Sequence, residues 1–563
     1  MITTTERKQP IIFDTTLREG FQTPGGIGGS LEERVYVAAL IQHYAHWIEL
    51  GIPANNVDYH IISAIRDRFL QEKYPVGIAV LARCQDLDVA RSAEVVSNYP
   101  NNLIHLFIGT SQQHRNIRFG GKDEEFYTQL ITRYIEKAAA DPTFSRVMFS
   151  PEDSHRTWQQ NPDVFMRFIS AAKVGYERGN KKVGRMDSVI FNLPDTVGIS
   201  TIEQFCRMIE HVQKEFGDDL ELSIHCHNDS LMSQAQAITV YERYGLRWLQ
   251  TTFGQLGERN GITPTDMTIK ILSDNKYLTD SRITSPENLE LLDPTTNAIL
   301  WTLGRTVPKE HLERTNSSTA GIHTDLVIKD TNTYHIRGTK YGSKISIELG
   351  PTSGSKQVVD VFLKNRFSYE GFSKENLEKF VDRLKYEANK DKFPISETHI
   401  LYEAYKEFLS MQDDGLKVDS YRILTLSEGL TRLRIKGSID GTPFSKTHKS
   451  VGPVEVTMES LNSVIDEHLG KKSEIKLENY WPHVIPIIGE EYLHWEVGQR
   501  PNIPRQIGKK AHFGVSLSFR NGSGLYYGLA RHENSTAAEV NAVIDGMTKM
   551  YAIQKWQSLT KPT

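Results

Sequence analysis

Eight short apolar runs, spaced through roughly the first 260 residues and separated by longer stretches of helical periodicity, constrain this chain more than any other feature. They are Ile11–Asp14, Trp47–Gly51, Val76–Leu81, Ile104–Ile108, Val147–Phe149, Val189–Leu193, Leu222–His225 and Trp248–Phe253. Each is short and apolar enough to be a strand buried on both faces, while segments such as Leu31–His46 and Thr201–Phe216 repeat their apolar residues at the helical period. Strands that alternate with helices are joined by crossovers, which makes the sheet parallel. Eight of them predict a closed (β/α)8 barrel, whose functional residues lie at the carboxyl ends of the strands. An open, doubly wound sheet shares this rhythm and is the competing fold.

The pattern changes beyond residue 285. A polar segment, Thr319–Gly354, leads to helical stretches at Lys374–Ala388 and Glu397–Leu409. Strand-like runs (Tyr421–Leu426, Arg432–Ile439, His512–Phe519, Leu525–Leu529) then mix with helical ones (Val456–His468, Thr536–Gln554). The expected division is a barrel over 1–285, a mostly helical linker region over 286–415 and an α+β domain over 416–563, with no internal repeat apparent. A chain of 563 residues is too long for one core in any case. Its formal charge of −4 argues against a polyanion-binding surface, and so against nucleic acid as the main partner. No apolar run approaches the roughly 20 residues of a membrane span, and the start, MITTTERKQP, does not read as a signal peptide. The three cysteines, Cys84, Cys206 and Cys226, lack metal-knuckle spacing and fit a reducing compartment. The expectation is a cytoplasmic, multidomain protein.

Five motifs fall at the ends of the predicted strands. In His225-Cys226-His227-Asn228-Asp229 the two imidazoles lie two residues apart in a strand and point to one face, so both can reach one ion. Two imidazoles with a carboxylate and open positions make a catalytic divalent-metal site; the plainer reading is a pair of satisfied core histidines. Asp14-Thr15-Thr16-Leu17-Arg18-Glu19-Gly20 closes the first run, where Glu19 can supply the carboxylate and Arg18 a fixed cation. A surface ion pair is the alternative there, but only one strand separates the first from the seventh in a barrel. Gly257-Glu258-Arg259-Asn260-Gly261, Asn192–Gly198 with its Thr196, and Phe149–Asp153 with its Glu152 follow the eighth, sixth and fifth runs. Each alone reads equally well as a turn, but together they occupy the end of a barrel that carries function.

With these residues in view, the chain resembles the DRE-TIM metallolyase superfamily and, within it, the 2-isopropylmalate and homocitrate synthases. The carrying segments are Asp14–Gly20, His225/His227 and Gly257–Gly261, followed by Gly321-Ile322-His323, Thr352-Ser353-Gly354, Gly452-Pro453-Val454 and Ser535–Ala538. The resemblance covers nearly the whole chain. It implies a metal-dependent acyltransferase that condenses acetyl-CoA with a 2-oxo acid. Glu19, His225 and His227 match ligands of a divalent ion (magnesium, manganese or zinc), Arg18 the cation beside the keto oxygen, and Thr196 the holder of the oxo-acid carboxylate. Glu152 is the candidate base for acetyl-CoA, with His323 and Tyr334 assisting. The resemblance also implies a homodimer and a C-terminal regulatory domain, with leucine as the candidate effector.

The likeness is nearest to 2-isopropylmalate synthases, which makes 2-oxoisovalerate the expected acid; 2-oxoglutarate (homocitrate) and pyruvate (citramalate) are the alternatives. His114, Arg115 and Arg118 offer cations for a second substrate carboxylate, against the plainer reading of solvated loop charges. A lyase of the 3-hydroxy-3-methylglutaryl-CoA type would lack the long tail, and a decayed amino-acid sensor would not need the retained motifs. One departure stands out: Gly254 occupies the place of an asparagine that serves as a further metal ligand in the isopropylmalate-type pattern.

Overall fold

The computed structural model describes residues 8–24, 27–118, 120–185, 187–217, 220–304, 374–391, 397–409, 415–426, 430–486, 511–521 and 524–560, with a few short pieces between 317 and 347. It divides into two compact units, residues 1–316 with 336–344, and residues 317–335 with 345–563.

The first unit is the predicted barrel. Its strands are β1 (Ile11–Asp14), β2 (Trp47–Glu49), β3 (Gly77–Arg83), β4 (Asn102–Gly109), β5 (Arg146–Glu152), β6 (Ile190–Asp195), β7 (Glu221–Cys226) and β8 (Trp248–Thr251). All neighbours are parallel, and β1 pairs with β8 from Ile11↔Trp248 to Asp14↔Thr251, which closes the ring and excludes the open sheet. The helices start where the chain supplies caps. Ser30 and Glu33 form a reciprocal capping box ahead of Leu31–Ile41, and Thr201 and Gln204 do the same for Ile202–Phe216. The latter helix buries Phe205, Met208, Ile209 and Val212, one stripe at helical spacing, against the outside of the barrel.

Inside the barrel, successive inward residues of each strand change character. A lower layer of Phe13, Ala79, Leu103, Met148, Ile190 and Trp248 packs as one apolar cluster. Two residues further along, on the same faces, stand Glu49, His105, Ser150, Asn192 and Gln250, all buried, so the apolar floor carries a polar layer toward the carboxyl ends.

In the second unit two antiparallel sheets appear, Leu416–Thr425/Leu430–Ile439/Thr442–Val451 and Lys476–Pro486/Ala511–Asn521/Gly524–His532. Each is followed by a helix, Gly452–Leu469 and Ser535–Thr560. The same three-strand-plus-helix arrangement thus occurs twice, a repeat not apparent in the sequence because the strands Thr442–Val451 and Lys476–Pro486 lack strong apolar runs. Helices Lys374–Asp391 and Glu397–Leu409 place Leu377, Phe380, Leu384 and Tyr405 in one core with these sheets. Helices Pro286–Glu290 and Leu292–Thr302 belong to the barrel unit. No helix among the described residues is long and apolar enough to cross a membrane.

Candidate active site

Glu19, His225 and His227 come together at the carboxyl end of the barrel, all buried, with one potential ligand atom from each within 4.8 Å of the others. His225 closes β7 on its inner face and His227 follows two residues on, while Glu19 sits in the turn after β1. The two Nε2 atoms lie 3.3 Å apart. His225 Nδ1 meets Gln250 Oε1 at 3.0 Å, while the Gln250 amide nitrogen faces Met148 Sδ. Oriented this way, Gln250 accepts the Nδ1 proton and leaves the Nε2 lone pair aimed into the site. Burial, with His227 alongside, pushes His225 down to about 3, and burial lowers His227 as well. Glu19 is pushed up by burial, but Arg18 and the two imidazoles outweigh this and hold it below the usual carboxylate range. With the His227 proton on Nδ1, both Nε2 lone pairs and the Glu19 carboxylate converge as donors on one point. This donor set therefore fits a divalent ion.

Arg18 is fixed on both sides. Its guanidinium pairs with Glu19, and Nε donates to Glu49 Oε2 at 2.6 Å. Glu49 is buried within the barrel; burial would raise it, yet Arg18 and His105 bring it down to about 2. From there a chain of hydrogen bonds crosses the polar layer. His105 Nδ1 meets Glu49 Oε1 at 2.6 Å, and its Nε2 meets Ser150 Oγ at 2.6 Å. Asn192 Nδ2 donates to Ser150 Oγ at 2.7 Å, and Ser223 Oγ donates to Asn192 Oδ1 at 3.0 Å. The chain satisfies polar groups that burial would otherwise penalise. Sequence reasoning gave no role to Glu49, His105, Ser150, Asn192 or Gln250. The available signal was a charged or polar residue within an apolar strand, as in Trp47-Ile48-Glu49-Leu50 and Leu103-Ile104-His105-Leu106.

The remaining motifs line the same rim. Glu152 ends β5; its carbonyl accepts Thr110 N–H at 2.9 Å, and its Oε2 is buried without a hydrogen-bond partner. Thr196 follows β6, and its Oγ1 accepts the Asp153 N–H at 2.8 Å. The Gly257–Gly261 loop folds over Glu19, to which the Glu258 N–H donates at 3.4 Å. Gly261, at φ +77°, lies where a Cβ would stand 1.9 Å from Gln255 O, so only glycine fits. Gly254 adopts φ +60°, donates its N–H to Asp266 Oδ1 at 3.2 Å and backs onto Leu300. The Gln255 Nε2 donates to Asn260 O at 2.9 Å. His114 bonds Ser111 and approaches Asp153 at 3.3 Å. Arg115 is buried over Phe168 of the outer layer, Arg118 is exposed, and neither reading of the three as a group fits. His323 and Tyr334 lie outside the described residues.

Asp14, the first residue of the Asp14–Gly20 motif, is fully buried and accepts from Thr16 N–H at 2.9 Å and Thr265 Oγ1 at 2.6 Å. Burial pushes its carboxyl up to about 6 from an ordinary 3.8. A carboxyl raised in the folded state favours folding at low pH, and that contribution is lost as pH rises through the folded value. Relative to Asp14→Asn, the wild type should lose as much as about 3 kcal/mol between roughly pH 4 and pH 7. Melting temperatures of both proteins across that range check this; parallel curves contradict it.

A closed (β/α)8 barrel that gathers a carboxylate and two imidazoles at the carboxyl ends of its strands defines a barrel enzyme with a candidate cation site. The chain belongs to the HMGL-like family, whose profile matches residues 9–291. It is similar to the 2-isopropylmalate synthase of Pyrococcus abyssi (strain GE5 / Orsay), 28% identical over 488 residues that span 83% of this chain and 91% of the relative. The 2-isopropylmalate synthase of Leptothrix cholodnii is 29% identical over 435 residues, spanning 75% of this chain and 77% of the relative. Among solved structures, HMG-CoA lyase from Bacillus subtilis aligns with 55% of this chain and 98% of its own, at 16% identity and a TM-score of 0.44.

Proposed function

We propose that the chain joins acetyl-CoA to a 2-oxo acid in a metal-dependent Claisen condensation, with 2-oxoisovalerate as the acid and 2-isopropylmalate as the product. The observation that carries this reading is the convergence of Glu19, His225 and His227 beside a fixed Arg18, in a chain similar over most of its length to 2-isopropylmalate synthases. Glu19, His225 and His227 would hold magnesium, manganese or zinc, all admitted by a mixed oxygen and imidazole set. When bound, such an ion supplies Lewis acidity at the keto oxygen of the oxo acid. Arg18 presents a cation to the charge that develops there, pre-organised by Glu19 and Glu49. Thr196 donates its hydroxyl hydrogen to the oxo-acid carboxylate. Glu152 takes a proton from the acetyl methyl through its unpartnered Oε2, assisted by His323 and Tyr334. The carbon nucleophile adds to the keto carbon, and hydrolysis of the resulting thioester releases CoA.

The choice of 2-oxoisovalerate rests on charge. A second substrate carboxylate would need a free buried cation. Among the described residues of the polar layer, Arg18 is taken by Glu19 and Glu49, and His105 by Glu49 and Ser150. Steady-state kinetics with the three acids test the choice: kcat/KM for 2-oxoisovalerate should exceed that for 2-oxoglutarate by at least about 100-fold, the scale set by an unpaired buried charge. Equal values would contradict it.

In this reading residues 1–285 are catalytic, 286–415 form the linker and 416–563 carry regulation, within a cytoplasmic homodimer. Leucine is the proposed effector, and the separate core of the second unit supports a site outside the barrel. Leucine titrated into the full-length enzyme should lower activity, whereas truncation before residue 416 should abolish the response.

A further inference from the structure

We propose that Asp153 and Arg259 are positioning residues that clamp Thr196 from two sides and thereby set the affinity of the site for the 2-oxo-acid carboxylate; this rests on the function proposed above. The Asp153 N–H donates to Thr196 Oγ1 at 2.8 Å, and Arg259 Nη2 donates to the Thr196 carbonyl at 2.6 Å. A threonine hydroxyl has one hydrogen to donate and two lone pairs. With one lone pair taken by a backbone N–H, the side chain is held in one rotamer and its hydrogen remains available to a ligand. Without that bond the hydroxyl turns freely and bonds its own loop as readily as a substrate.

Both clamping residues pay for their positions in backbone conformation. Asp153 has φ +68° and Arg259 φ +55°, a region that side chains other than glycine enter at a cost and that clusters at functional sites. Each is held there by ion pairs. The Asp153 carboxylate, 1% exposed, accepts from Arg156 Nε at 2.7 Å and lies 3.3 Å from His114 Nδ1. Arg259 Nε donates to Asp229 Oδ1 at 2.8 Å, and its Nη2 reaches Oδ2 at 3.2 Å. A plain structural role fits Asp153 less well. It stands at the N-cap of helix Ser154–Gln160, yet its side chain makes no capping bond. Its carboxylate fixes the residue itself, and the residue fixes Thr196. The clamp also ties Thr196 to both neighbours in the site, because Asp153 follows Glu152 and Asp229 lies two residues beyond His227.

The test is a double-mutant cycle on the full-length chain, reading KM for each substrate and, by calorimetry with metal but no acetyl-CoA, the Kd for 2-oxoisovalerate. Asp153→Ala is expected to weaken the oxo acid about tenfold and to leave KM for acetyl-CoA within about twofold. Asp153→Asn, which tolerates positive φ and keeps an acceptor, should recover to within about threefold of wild type. In a Thr196→Val background, Asp153→Ala should add less than about twofold, because there is no hydroxyl left to misplace. Arg259→Gln, at a partly exposed side chain, is expected to follow the same pattern and carries the test if Asp153→Ala does not fold. Unchanged oxo-acid affinity, or the same loss with and without the Thr196 hydroxyl, overturns the clamp while leaving the proposed function intact. A wild-type protein that releases no CoA with any of the three acids overturns the function and the clamp together.

Discussion

Replacing His225 and His227 together with alanine is expected to lower oxo-acid-dependent CoA release by at least about three orders of magnitude while the barrel remains folded. The site is built so that little else can compensate. The two Nε2 atoms are 3.3 Å apart, and Glu19 is the one carboxylate grouped with them among the described residues. Gly254 offers no side chain to the site. With so small a protein ligand set, loss of two members should also abolish stoichiometric metal binding, which calorimetry reads independently of turnover. Retention of both metal and activity in the double variant would contradict the assignment. Stability should fall modestly, because alanine leaves a cavity and removes the partner of the buried Gln250 Oε1.

Glu152→Gln should have the second largest effect, a loss in kcat of about 100- to 10,000-fold with KM for both substrates close to wild type. Enolising a thioester demands a base that faces the acetyl methyl and is not engaged elsewhere. Glu152 Oε2 meets the second condition: it is buried without a partner, while the backbone is pinned through its carbonyl by the Thr110 N–H and hydroxyl. Glutamine preserves shape and removes the proton acceptor. Exchange of acetyl-CoA methyl protons with deuterated solvent isolates the step, and exchange at the wild-type rate in Glu152→Gln would assign the base to another residue.

Much of this architecture was legible in the chain because parallel barrel strands are buried on both faces and therefore announce themselves as short apolar runs. All eight runs coincide with strands, and the motifs at their ends meet at one rim because the topology brings every carboxyl end to the same side. The polar layer was harder to see. Glu49 and His105 look like isolated exceptions within apolar runs, and only the closed barrel shows that they face each other at 2.6 Å. Arg115, in a segment that reads as solvated, is buried over Phe168, since a helix after β4 turns it onto the outer layer. In the second unit, Thr442–Val451 alternates between exposed and half-buried residues, and Lys476–Pro486 is broken by Pro482 and His483. Neither carries an apolar run, which hid the repeated sheet-and-helix arrangement. The joint meaning of Asp153, Thr196 and Arg259 was invisible for a related reason, since backbone N–H and carbonyl contacts leave no trace in residue identity.

The most direct measurement is thiol release by the purified full-length protein from acetyl-CoA, with 2-oxoisovalerate and a divalent metal each supplied or withheld. CoA should appear only when both are present, in one-to-one ratio with 2-isopropylmalate identified by mass spectrometry. CoA release at the same rate without the oxo acid or after chelation, or no release with any 2-oxo acid in the presence of metal, would contradict a metal-dependent Claisen condensation.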